Sequence, residues 1–167
     1  RDRQMSILVT DLASKTSAAM AALISGLGST ALLDASVYVG QGAEDDLTLP
    51  RIECASEQGN QDVQGLGNFW MTCTIYVKST TDPEVDIDGA ETSDTKLTQH
   101  SARVAAIYNA VVTDGLDIDL NAAAATATIA WTCQAVMNFR WTEPMAQENH
   151  FVSEIGFEAL CCNSTLG

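Results

Sequence analysis

The clearest hydrophobic pattern lies at residues 69–78, FWMTCTIYVK, where Phe69, Met71, Cys73, Ile75 and Val77 alternate with Trp70, Thr72, Thr74, Tyr76 and Lys78. A period of two sends successive side chains to opposite faces of a sheet, and β-branched and aromatic residues fill most of both rows. The pattern therefore predicts a strand that is substantially apolar on both faces. Residues 51–56 alternate likewise, with Ile52 and Cys54 inward and Arg51, Glu53 and Ala55 outward. The polar, glycine-containing stretch 57–68 joins the two as a hairpin with a long, projecting loop. Residues 131–142 place Trp131, Cys133, Ala135, Met137, Phe139 and Trp141 on one face, and Glu143-Pro144 ends that strand. In a last strand over 151–162, Phe151, Ser153, Ile155, Phe157, Ala159 and Cys161 alternate with a row exposed through its glutamates, Glu154 and Glu158. Residues 36–39 read as a short strand. So does LDIDLN at 116–121, with charged alternate positions that suit a sheet edge. The Ala/Thr run 122–130 has no decisive period.

Two segments carry the helical period instead. Over 5–27, Met5, Leu8, Leu12, Met20, Leu23, Ile24 and Leu27 form one apolar face, with Ser14, Lys15, Thr16 and Ser17 on the solvent side and Gly26 and Gly28 as the stop. Over 97–112, the stripe is Leu97, Val104, Ile107, Tyr108, Val111 and Val112, with Ser101 completing the spacing and Gln99, Arg103 and Asn109 away from it. Thr92, Ser93 or Asp94 caps this second helix and Asp114-Gly115 closes it. The order of elements predicts an α+β fold in one domain over 1–167, a largely antiparallel β-sheet packed against two main α-helices.

Composition changes this picture in two ways. Hydrophobic residues make up 46% and charged ones 18% of the 167, a thin charge cover that leaves some surface for a partner. The 22 acidic and 8 basic residues give a formal net charge of −14, which repels phosphates and excludes a basic groove that grips nucleic acid. A surface that DNA passes without sticking remains compatible with it. Lysines, serines, threonines or aspartates interrupt every apolar run before membrane-spanning length, and MSILVTDLAS lacks a signal-peptide pattern, so a soluble, unexported chain is expected.

Residues able to do chemistry are sparse. Cys54, Cys73, Cys133, Cys161 and Cys162 show no CxxC spacing, are odd in number and mostly sit in apolar runs, which predicts reduced core thiols. His100 lies in the second helix and His150 heads the last strand; neither belongs to a nucleophile signature, so both read as structural or surface imidazoles. Asp82, Glu84, Asp86, Asp88 and Glu91 resemble a calcium loop in composition. Counted from Asp82, however, loop position six is Ile87 and position twelve is Ser93, which breaks the EF-hand pattern. The paired glycines at 26 and 28, 40 and 42, and 65 and 67 continue into no phosphate-binding motif. Asn163-Ser164-Thr165 matches a glycosylation acceptor only by accident in an unexported chain. Trp70, Trp131 and Trp141 fit core or interface anchors better than stacking platforms. No catalytic, cofactor or metal residue is assigned, and no enzyme activity is expected.

Taken together, PRIECAS, the glycine-rich loop, FWMTCTIYVKST, the acidic link, HSARVAAIYNAVV, WTCQAVMNFRW and FVSEIGFEALC resemble the tail terminator, or tail completion, proteins of the tailed-phage neck. The resemblance implies a homo-oligomeric ring, typically a hexamer, that caps the tail tube and joins it to a connector or stopper protein in the virion after assembly in the host cytoplasm. DNA would cross the lumen without specific binding, and no membrane is involved. A tail-tube or capsid-decorating subunit is the alternative role, and a small enzyme a more distant one. Within the ring reading, the loops 57–68 and 79–94 project towards the lumen or a neighbouring ring. Trp70 and Tyr76, on the second face of the strand at 69–78, are the candidate interface residues.

Overall fold

The computed structural model describes residues 2–40, 48–61, 67–81, 85–86, 89–90, 93–147 and 150–163. In chain order they form helix α1 (Asp2–Ser25), a 3-10 turn (Thr30–Leu32) and strands β1 (Ser36–Val39), β2 (Arg51–Gln61), β3 (Phe69–Thr80), β4 (Val85–Asp86) and β5 (Gly89–Ala90). Helices α2 (Ser93–Val111) and α3 (Leu116–Thr126) follow, then strands β6 (Thr132–Trp141), β7 (Met145–Gln147) and β8 (His150–Cys162). The fold is α+β. The main sheet runs β1-β2-β3-β8-β6, with β7 pairing beside β8, while β4 and β5 make a separate two-stranded ribbon. Only the β1–β2 pairing is parallel; the other pairings are antiparallel.

β3 is the middle of this sheet, and its alternation does what its sequence requires. It pairs with β8 without a break from Phe69↔Cys161 to Thr80↔His150, and with β2 from Lys78↔Arg51 to Met71↔Gln58. Met71, Cys73, Ile75 and Val77 are sealed under the helices beside Ile52 and Cys54 of β2 and Ile155, Phe157, Ala159 and Cys161 of β8. Leu12, Met20 and Ile24 of α1, Ile107 and Val111 of α2, and Leu116 and Leu120 of α3 close the same core. All three helices thus cover one face. Each large apolar side chain sealed there contributes roughly 1.5–3 kcal/mol.

Several sequence expectations need correction. Residues 116–121 are not an edge strand; they open α3, a third helix. Leu116, Leu120 and Ala124 recur every four residues and are buried, and Asp117 and Asp119 sit in the first turn, where the helix dipole favours acids. Exposed Ile118 supplied the misleading alternation. On α1, Thr16 and Ser17 are buried rather than solvent-facing, because tertiary bonds satisfy their hydroxyls. Thr16 Oγ1 donates to the Leu12 carbonyl at 2.7 Å and accepts from Trp131 Nε1 at 2.9 Å, and Ser17 Oγ lies 2.9 Å from Ser56 Oγ. On α2 the inward row is Lys96, His100, Arg103, Ile107 and Val111, so Arg103 faces in while Leu97, Ser101 and Tyr108 of the expected stripe face out.

β2 continues to Gln61 with an irregularity between Gln58 and Gln61, so residues 57–61 of the expected 57–68 loop are strand, and β3 likewise runs on to Thr80. Within that loop, residues 62–66 lie outside the described residues. So do the side chains of Met5, Leu8, Asp82, Glu84, Asp86, Asp88 and Glu91, and the residues Ser164 and Thr165. All five cysteines are free thiols; Cys54, Cys73, Cys133 and Cys161 are buried, and burial pushes the Cys54 thiol up to about 12. No described helix is long and apolar enough to cross a membrane.

Replacing Thr16 by the near-isosteric valine leaves the buried Trp131 indole N–H without its acceptor, a loss of about 1–3 kcal/mol. Urea unfolding should show that loss for Thr16→Val, and none for Ser14→Ala on the exposed side of the same helix.

Candidate functional site

Because the helices occupy one side of the sheet, the other side of β2, β3 and β8 presents a polar face. At its β2 end Glu53 is wholly buried, with Oε2 2.9 Å from Arg51 Nε and Oε1 2.8 Å from Lys78 Nζ. The register produces the cluster: Arg51 stands opposite Lys78, and Glu53 opposite Tyr76. The Arg51 guanidinium lies 4.0 Å from the centre of the Tyr38 ring, and Lys78 Nζ is 5.9 Å from that of Tyr76. Two aromatic faces thereby flank a buried ion triad, in which removing one partner strands the others at a cost of about 3–5 kcal/mol. Towards β6, Arg140 lies across Gly156, where any Cβ would collide with the guanidinium, and its Nη2 donates to Thr74 Oγ1 at 3.0 Å and to the Cys73 carbonyl at 3.2 Å.

Trp70 and Tyr76 are both on this face, and both are half-buried within the chain. Trp70 stands opposite Leu160 and presses its carbonyl on Gly59, where a Cβ has no room. Tyr76 stands between Glu53 and Glu154; burial, with the Glu154 charge second, raises its hydroxyl pKa. Six residues apart along β3, the two side chains are separated by roughly 20 Å of strand.

The more exposed aromatic surface is at β6, where the sequence reading placed a single six-residue row. Register shifts between Cys133 and Ala135 and between Met137 and Arg140 break that row. After re-phasing, the helix-side positions are Cys133, Val136, Phe139 and Trp141, while Ala135, Met137 and Arg140 take the opposite side. The one local signal was Asn138, which adopts the left-handed conformation (φ 56°) that asparagine tolerates. Trp141 is 54% exposed and meets Tyr108 of α2 edge-on at 6.3 Å, and Phe139 lies 6.2 Å from Phe157. Val104, Ala105, Tyr108, Trp141 and Pro144 line an open apolar cleft of about 410 Å³ beside them.

A buried polar network ties α2 to the sheet. His100 is 0% exposed, with Nδ1 2.8 Å from Ser79 Oγ and Nε2 2.8 Å from Ser153 Oγ. Arg103 donates to Ser79 Oγ and to Asp34 Oδ2, both at 3.0 Å. One assignment uses every group: Ser79 accepts from Arg103 and donates to His100 Nδ1, leaving Nε2–H to donate to Ser153. Burial, reinforced by the Arg103 charge, lowers the His100 pKa to about 4, so the ring is neutral. A sealed imidazole held between two serines fixes packing and offers nothing to a substrate. His150 is also buried, and no three His, Cys, Asp or Glu side chains among the described residues gather to hold a metal.

Charge is strongly sided. Of the six described basic side chains, Arg51, Lys78, Lys96 and Arg103 are buried and Lys15 pairs with Asp11, which leaves Arg140 as the exposed one. Asp11, Asp34, Glu57, Asp114, Asp119 and Glu143 all face solvent. Among the described residues, these features define an α+β fold with one helical layer, a polar face opposite it, an acidic exterior and apolar sheet margins. No family model matches the chain, and no curated protein is significantly similar to it in sequence.

The neutral His100 sets a pH dependence. Its pKa is about 4 in the fold against 6.5 in an unperturbed chain, so between those values the unfolded state binds the proton and the folded state does not. Stability falls as pH drops through this window, by on the order of 3 kcal/mol for this group. Urea unfolding from pH 7 to pH 4 should show the gap between the parent chain and His100→Asn narrowing steadily towards the acid end.

Proposed function

We propose that this chain is a structural subunit of the tailed-phage head–tail junction, forming a ring of the tail-terminator kind that caps the tail tube and joins it to the connector or stopper. The observation that carries the reading is the sided charge: four of six described basic side chains are withdrawn into the protein and the exterior is left acidic. Such a surface repels phosphates, so double-stranded DNA can cross a lumen built from it without being held. The likeness of the strand and helix segments to tail terminators supports the same role. Trp70 and Tyr76 on the open sheet face anchor a neighbouring component, with the part of each ring left uncovered by this chain. The subunit acts in the virion as a structural part rather than as an enzyme.

Electron microscopy of virions carrying a tagged copy of the chain, together with native mass measurement of the purified protein, tests this. A closed ring, and label confined to the junction between capsid and tail, is the expected result. Label along the tail, an extended polymer, or label over the capsid as trimers contradicts it and points to a tube or decoration subunit.

A further inference from the structure

The main sheet has two open margins at opposite ends of its strand order. β1 pairs with β2 alone and β6 with β8 alone, and among the described residues no strand covers the outer side of either. Unpaired N–H and C=O groups in such a row template pairing with another strand. Both margins also carry apolar side chains in solvent: Tyr38 and Val39 on β1, and Met137, Phe139 and Trp141 on β6. Val39 and Trp141 are each 54% exposed, far more than a subunit with this acidic exterior needs for solubility.

Charge selects what covers them. Neither SVYV of β1 nor TCQAVMNFRW of β6 contains an acidic residue, whereas acids face solvent on α1, β2, α3 and the turns, including Glu143 just beyond β6. Two copies of so acidic a chain repel each other over most of their surface and approach most easily where carboxylates are missing. The Arg140 guanidinium reaches inward from β6 over Gly156 to Thr74 of β3, and Asp34, before β1, is paired with Arg103, so neither charge stands on an outer margin. A β6-to-β6 contact leaves both β1 margins open, and a β1-to-β1 contact leaves both β6 margins open. A β1-to-β6 contact covers one margin of each kind in every copy.

We infer that the β1 margin of one copy docks on the β6 margin of the next, a heterologous contact whose repetition closes a ring. Val39 joins Phe139 and Trp141 on the helix side, Tyr38 joins Met137 on the open face, and the outer backbone groups of the two strands pair across the junction. The open face with Trp70 and Tyr76 then stays clear for a different component. The contact rests on the homo-oligomeric part of the function proposed above, and names the surfaces that make it.

Two blocked variants, Val39→Glu and Trp141→Glu, test it, each placing a carboxylate at a solvent-facing position of one margin; Phe139→Glu replaces the second if that variant loses its circular dichroism signal. Native mass spectrometry should find the parent chain assembled and each variant alone monomeric. An equimolar mixture of the two should give dimers, twice the chain mass, and nothing larger, because one intact β1 margin and one intact β6 margin remain. Dimers of Val39→Glu alone establish a symmetric contact and overturn the inference. Both variants assembling like the parent also overturn it, while leaving the ring reading standing. A parent chain that stays monomeric at its highest soluble concentration overturns both.

Discussion

A sheet whose helical cover, among the described residues, lies on one face is the constraint from which the rest of this structure follows. Helices α1 and α2 press on the row Met71, Cys73, Ile75 and Val77 and its neighbours in β2 and β8, α3 packs on β6 and α1, and this one helical layer closes the hydrophobic core. The opposite face must then be stabilised without a second helical layer. It does so with groups that satisfy one another in the plane of the sheet: the Arg51–Glu53–Lys78 triad at one end and Arg140 laid on Gly156 at the other. Gly156 is the element that permits the second, since any side chain there displaces the guanidinium.

The same economy explains where the charges go. Basic side chains are few, and most are spent internally, joining strands in the triad or tying α2 to the sheet through Arg103, Ser79 and His100. What remains outside is acidic. A strongly acidic exterior disfavours contact with nucleic acid and with other copies alike, and so gives the two carboxylate-free sheet margins a distinct character. Function, on the proposed reading, lives in that contrast between a repelling exterior and a few apolar margins.

The fold was legible wherever one period ran unbroken. β3 pairs with β8 without a break, and both rows of β3 take the faces that their spacing implies; the glutamate row of β8, expected in solvent, is instead covered, with Val152, Gly156 and Leu160 buried and Glu154 and Glu158 half-buried. It became illegible where two periods coincided or where a residue's partner lay far along the chain. LDIDL satisfies a two-residue alternation, yet its leucines also recur four apart, and tertiary packing chose the helix. Thr16, Ser17, His100 and Arg103 look like solvent residues by type; partners in Trp131, Ser56, Ser79 and Ser153 draw them inside, and no local pattern announces those bonds. The face of Trp70 and Tyr76 could be read from alternation, but the exposed surface at Phe139 and Trp141 could not, because two bulges in β6 reset the phase.

Backbone hydrogen exchange, followed in the assembled parent chain and in a margin-blocked monomer, addresses the central claim most directly. If neighbouring copies complete this sheet, outward amides within Ser36–Val39 and Thr132–Trp141 are slow in the assembly and fast in the monomer, while β3 is slow in both. Equal exchange at both margins in the two states contradicts the account.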